Sequence, residues 1–172
     1  MSGIYSIPVY GLKEQQYTFD FEIGKEFFEL FEDSEISEGN LAITVKADKR
    51  STHIDLIIKV EGDVLVPCDR CLALFSLAVE GSYRLLVKFG RELDDSDPEI
   101  ITLPADEQVL EMSQFFYEYI LLALPIQKIH PDDRNGKSLC DPEMIKKLEE
   151  HLISEIDETD PRWNELKKLM NN

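Results

Sequence analysis

From Tyr17 the chain alternates apolar and polar residues: Tyr17, Phe19, Phe21 and Ile23 are separated by Thr18, Asp20 and Glu22. A period of two puts one set on one face of a sheet, so this stretch predicts a strand. Leu41, Ile43, Val45 and Ala47 repeat the pattern, and Ile54, Leu56, Ile58 and Val60 repeat it again. Between the first two, "GKEFFELFE" carries Phe27, Phe28, Leu30 and Phe31 at helical spacing, which predicts a short helix laid on the sheet. "DKRST" (48–52) and "EGD" (61–63) have the composition of hairpin connections. The long apolar stretch from Leu72 to Phe89 is interrupted at Glu80, Gly81 and Ser82, and reads as two strands with a turn or bulge between them. Further strands are expected at Ile4 to Tyr10 and at Glu99 to Leu103.

The last third changes character. "EMSQFFYEYILLALP" is too long and too apolar for a strand and is stopped by Pro125, so it predicts a buried helix. "CDPEMIKKLEEHLIS" opens with Asp141 as N-cap and Pro142 in the first turn, with Ile145, Leu148 and Leu152 as its apolar stripe. "DPRWNELKKLM" repeats the device with Asp160 and Pro161, and Trp163, Leu166 and Leu169 as the buried face. Together these elements predict an α+β fold: a mostly antiparallel, curved sheet of about six strands, one short helix against it, and two or three C-terminal helices. Residues 1–126 are expected to form a β-rich core ending in the buried helix. Residues 127–172 would be a loop and helical appendage packed on that core, the whole a single domain.

Charge narrows the function more than composition does. The 43% hydrophobic content is enough for a real core, but 35 acids against 18 bases give a net charge of −17. Coating nucleic acid requires Lys and Arg to neutralise phosphates, and this balance is poorly suited to it. The N-terminus lacks a basic segment followed by a long apolar run, and Tyr119 to Ile126 is too short to span a bilayer. Three cysteines without an export signal point to reduced thiols in the cytoplasm.

Two of those cysteines lie three positions apart in "VPCDRCLALF" (66–75). A redox Cys-x-x-Cys usually opens a helix, whose N-terminal amides lower the thiol pKa, whereas the residues after Cys71 read as a strand. Two readings remain. Cys68 and Cys71 are either reduced cysteines holding a structural turn, which is the commoner case for a lone pair, or half of a tetrahedral zinc site. The zinc reading needs two more ligands, for which Cys140 and His130 are the candidates, flanking "PDDRNGKSL". His53, at a hairpin end, and His151, on a solvated helix, are less suggestive. Asp94, Asp95, Asp97 and Glu99 lack the spacing and the glycine of an EF-hand loop, and read as a solvated connection. No serine sits in a nucleophile motif, and a chain with 8 glycines offers no phosphate loop, so no catalytic constellation emerges.

Four pieces in order, "VPCDRCLALF", an acidic loop, "FYEYILLALPIQKIHP" and "DPRWNELKKL", resemble the YceD-like family of bacterial proteins, over roughly residues 55 to 170. The resemblance implies a role in accumulation of 23S ribosomal RNA, without enzymatic activity. It places Arg70 before the second cysteine, Glu118 ahead of Leu122-Ala123-Leu124-Pro125, and Arg162 in the C-terminal motif, and these three are the candidates for partner contact. Many members carry further cysteines after the Leu-Ala-Leu-Pro segment, giving a four-thiol site. This chain has Cys140 there, with His130 upstream. The acidic balance adds that contact with a basic ribosomal protein or an RNA-processing factor is a better expectation than contact with RNA. The alternatives of other classes are a metal-dependent or nucleic-acid-processing enzyme and a general acidic interaction module.

Overall fold

A computed structural model describes residues 3–32, 34–90, 97, 99–104, 106–132 and 134–152. The elements run β1 (Ser6–Pro8), β2 (Gln16–Ile23), α1 (Lys25–Phe28), β3 (Glu38–Lys49), β4 (His53–Pro67), β5 (Leu74–Phe89), β6 (Ile100–Leu103), β7 (Val109–Glu111), α2 (Ser113–Ala123) and α3 (Pro142–His151). The fold is α+β as expected, with the strands divided differently. One sheet holds five strands in the order β2-β3-β4-β5-β6, and β1 pairs with β7 in a separate two-stranded sheet. All pairings are antiparallel except β5 with β6, which is parallel. The last predicted helix, with Trp163, Leu166 and Leu169, lies outside the described residues, as does most of the acidic loop around Asp94 and Asp95.

Two expected turns are absent because the strands run through them. "EGD" (61–63) lies inside β4, and Glu80, Gly81 and Ser82 lie inside β5. The side-chain parity explains why. Inward positions on β4 run Ile54, Leu56, Ile58, Val60, then Gly62, then Val64 and Val66 without a change of face. On β5 Phe75, Val79, Leu85 and Val87 are buried on the same parity, with Gly81 between them. Gly62 is needed for close approach rather than for reversal. Its φ is +147°, and a Cβ there would collide with the carbonyl oxygen of Asn40 on β3. At Gly81 the missing side chain makes room for the ring of Tyr83, which a Cβ would meet at 2.6 Å.

The core lies on one face of this sheet. Val45 pairs with Ile58 and Ile43 with Val60, and all four side chains are fully buried. Helix α2 covers that face through aromatic contacts. Phe116 meets Phe21 of β2 at a centroid distance of 5.0 Å, and Tyr119 stacks on Tyr83 of β5 at 4.6 Å. Helix α1 adds Phe27 and Phe28, both buried, with Tyr5 edge-on to Phe27 at 4.9 Å. Helix α3 starts as its sequence predicts: the Asp141 carboxylate accepts from the Glu143 amide at 2.9 Å, and Pro142 occupies the first turn. Its apolar stripe lies largely in solvent. Ile145 is half-buried, whereas Leu148 and Leu152 are exposed. Among the described residues no helix is long and apolar enough to cross a membrane.

Candidate metal centre

The inward parity of β4 does not stop at the end of the strand. Val64, Val66 and then Cys68 are all buried, so the first thiol occupies the next core-facing position. The chain then reverses tightly before β5. The Leu72 amide donates to the Cys68 carbonyl at 2.9 Å, and the Cys68 amide to the Ala73 carbonyl at 3.0 Å. The Arg70 amide points at the Cys68 sulfur at 3.5 Å. Closing this knuckle requires Leu72 to adopt a φ of +62°, a left-handed conformation that ordinarily favours glycine. Both thiols are turned inward by this geometry, and Arg70 is left exposed on the knuckle.

The other two donors arrive on the segment after α2. Beyond Pro125 the chain runs alongside the knuckle, tied to it by a reciprocal pair of bonds. The Asp69 amide donates to the Lys128 carbonyl at 2.7 Å, and the Lys128 amide donates to the Asp69 carboxylate at 2.6 Å. The Lys128 ammonium continues to the Glu35 carboxylate at 2.8 Å. Two residues on, His130 lays its ring against Phe75 of β5, centroids 4.5 Å apart. A loop closed by a bridge between Asp132 and Ser138 then delivers Cys140, whose amide donates to the Ser138 hydroxyl at 3.2 Å. Asp69, Ser138 and Phe75 have no motif signal of their own; only the proximity of Asp69 to Cys68 hinted at it.

Cys68, Cys71, His130 and Cys140 therefore converge, with all four ligand atoms within 4.8 Å of one another. The sulfurs of Cys68 and Cys140 are 3.7 Å apart. The Nδ1 atom of His130 lies 3.5 Å from the Cys71 sulfur and 3.8 Å from the Cys140 sulfur. Tetrahedral zinc, bonded to sulfur at about 2.3 Å and nitrogen at about 2.0–2.1 Å, requires S···S edges of about 3.8 Å and S···N edges of about 3.6 Å. Those three distances fit such a centre, and three thiols with one imidazole are a common structural zinc set. The three cysteines are free and buried, and His130 is half-buried. His53 and His151 are not part of the group.

The electrostatics fit a metal as well as the distances do. Burial pushes the Cys68 thiol up, but amides from Cys71, Arg70 and His130, and the His130 ring, outweigh it and bring the thiol down to about 6. Cys140 goes the other way. The Ser138 hydroxyl lowers it, but burial and the neighbouring Cys68 and Cys71 sulfurs raise it on balance. One thiolate in a cluster of three thiols discourages the next, and a divalent cation relieves that repulsion.

The partner-contact candidates are distributed over different elements. Arg70 is exposed on the knuckle, and Glu118 is exposed on α2, where its carboxylate accepts from the Gln114 side chain at 2.8 Å. Arg162 lies outside the described residues.

Comparison with known proteins adds what the geometry lacks. A family model described as "Large ribosomal RNA subunit accumulation protein YceD" matches residues 56–170, a span that includes all four donors. No curated protein and no solved structure matches the chain. Through the match over residues 56–170, with Cys68, Cys71, His130 and Cys140 inside it, the chain belongs to the YceD family of large ribosomal RNA subunit accumulation proteins.

Proposed function

We propose that this protein is a non-enzymatic factor of ribosome biogenesis in the cytoplasm, supporting accumulation of 23S ribosomal RNA through protein contacts. The family match carries the link to the large-subunit RNA. The single structural observation behind the rest is the closed donor set of Cys68, Cys71, His130 and Cys140. Four protein donors complete a tetrahedral centre and leave no position for a water or substrate, as in structural rather than catalytic zinc sites. Zinc bound there would supply cross-linking between the knuckle and the segment that follows α2. The β-rich core and the described residues that follow α2 up to 152 then act as one unit. The acidic balance of the chain favours a basic ribosomal protein or RNA-processing factor as partner over RNA itself.

Two measurements test this reading. In a strain lacking the gene, 23S RNA is expected to fall relative to 16S, and Cys68→Ser is expected to restore it less well than the native gene. A normal ratio in the deletion strain would overturn the biogenesis role. Protein purified without chelator is expected to carry about one zinc per chain. Less than about a tenth would return Cys68 and Cys71 to a structural turn.

A further inference from the structure

Beside the metal centre, the end of α2 and the chain after it form one wall of a depression of about 460 Å³. Tyr117, Leu121, Leu124 and Pro125 line it together with Glu35 and Lys128. The wall is rigid for physical reasons. Tyr117 stacks on Phe31 at 4.0 Å, and Lys128 is held both by Glu35 and by the knuckle residue Asp69. The same two segments also expose large apolar side chains. Leu122 is 68% exposed and Ile126 fully exposed, with Leu30, next to the stacked Phe31, 62% exposed. Large apolar side chains left in water around a lined depression mark a contact site rather than a core.

The charges on the same two segments identify the occupant. Within 25–35 and 113–128 the described residues offer Lys25 and Lys128 against Glu26, Glu29, Glu32, Glu35 and Glu118. Pairing of Lys25 with Glu29 and of Lys128 with Glu35 leaves Glu26, Glu32 and Glu118 as the excess negative charge. An apolar depression with an acidic surround is complementary to an apolar side chain carried on a lysine- or arginine-rich polypeptide. A phosphate backbone is the wrong sign for it.

We propose that this depression seats a leucine-like side chain from a basic segment of a partner protein, with the excess acids of the two segments, Glu26, Glu32 and Glu118, attracting the flanking cations. The proposal rests on the reading of the protein as a factor acting through protein contacts, and names the surface that makes them. The metal centre then has a positioning role, because Asp69 of the knuckle fixes Lys128 and so one edge of the depression.

The test is fluorescence anisotropy on the 172-residue, zinc-loaded chain. The probes are a short synthetic peptide alternating lysine with leucine, the same peptide with every leucine replaced by serine, and a single-stranded RNA oligonucleotide. The leucine peptide is expected to bind about tenfold tighter than the serine peptide, since a buried apolar anchor dominates such interfaces. Leu121→Ser and, separately, the fully exposed Ile126→Ser should each erase most of that preference while zinc content stays unchanged. Glu118→Gln should weaken both peptides alike. Equal binding of the two peptides, or a preference surviving both serine variants, would overturn the proposal in favour of bulk charge attraction. Tighter binding of the RNA, or self-association of the protein that Ile126→Ser abolishes, would overturn it in favour of those occupants. If the peptides fail to discriminate while the deletion strain still loses 23S RNA, only this surface is wrong. If the strain keeps its 23S RNA, the parent reading fails whatever the peptides do.

Discussion

The five-stranded sheet and the segment from 124 to 141 are held by different physics. In the sheet each element is fixed many times over: ladder bonds along β3, β4 and β5, an unbroken apolar parity, and aromatic contacts to α2. The later segment has one short bridge between Asp132 and Ser138, the paired bonds between Asp69 and Lys128, and the convergence of four donor side chains. Burial of carbon makes the first region indifferent to metal and redox state. The second region has fewer apolar anchors, Leu124, Ile129 and the His130 ring on Phe75 among them, and leans more on polar and sulfur contacts.

Metal removal is the strongest way to break the comparison. Structural zinc contributes on the order of 10 kcal/mol of apparent binding free energy in small zinc modules. Chelation, or Cys140→Ser, is therefore expected to release 126–141 and α3 while the sheet stays folded. Amide exchange there should accelerate by about a hundredfold or more, with β3 to β5 still protected. Loss of protection in the sheet as well would show that the two regions are one cooperative unit.

Breaking the other side calls for a core cavity. Phe116 is fully buried against Phe21, so Phe116→Ala is expected to cost about 3–5 kcal/mol of global stability. Zinc stoichiometry under native conditions should not change. Denaturant unfolding followed alongside zinc release separates the two outcomes, and early release of zinc in this variant would contradict the division.

Acid and alkali should attack the two regions separately. The folded pKa of Cys68 is depressed to about 6, so its thiolate contributes stability that is fully present above the unfolded thiol range and is lost as pH falls through about 6. Zinc should also leave on acidification, because protons compete for its sulfur. Tyr119 is pushed up to about 12, chiefly by burial and then by Glu118, Glu99 and Tyr83. Its contribution is fully present below about 10 and disappears as pH rises towards 12, a loss of roughly 2 kcal/mol. Thermal melts across the alkaline window should show this drop in the native protein and a smaller one in Tyr119→Phe.

The sequence conveyed these regions unequally. Alternation at Tyr17–Ile23, Leu41–Ala47 and Ile54–Val60 identified three strands, because parity is a local property. The breaks placed at 61–63 and 80–82 failed because glycine was read as a turn. Parity across Gly62 and Gly81 was already continuous in the sequence, and it marks a close strand approach at one and a covering ring at the other. The strand β7 (Val109–Glu111) is only three residues long and is recruited by β1, a partner about a hundred residues away that no local pattern encodes. In the site, the chemistry of the side chains singled out Cys68, Cys71, His130 and Cys140, and the fold brings these four together. What spacing could not supply was their convergence, which needs the Asp69–Lys128 bonds and the Ser138 turn to return the chain to the knuckle. The α3 stripe was legible as a pattern but not as buried surface, since Leu148 and Leu152 are exposed among the described residues.

The smallest effect tests how the knuckle is held between the two regions. Leu72 is 68% exposed and sits at φ +62°, so its side chain gains little from burial while its backbone is strained. A left-handed conformation costs a non-glycine residue roughly 1 kcal/mol, part of which glycine gives back through the greater freedom of its unfolded chain. Leu72→Gly is therefore expected to raise stability by about 0.5 kcal/mol, read as a higher denaturant midpoint with an unchanged slope. The gain should be larger in chelated protein, where the bonds of Leu72 to Cys68 and of Cys68 to Ala73 hold the turn without the metal. A decrease in stability would mean that the Leu72 side chain supplies contacts worth more than the strain, and would tie the knuckle to the apolar core rather than to the metal.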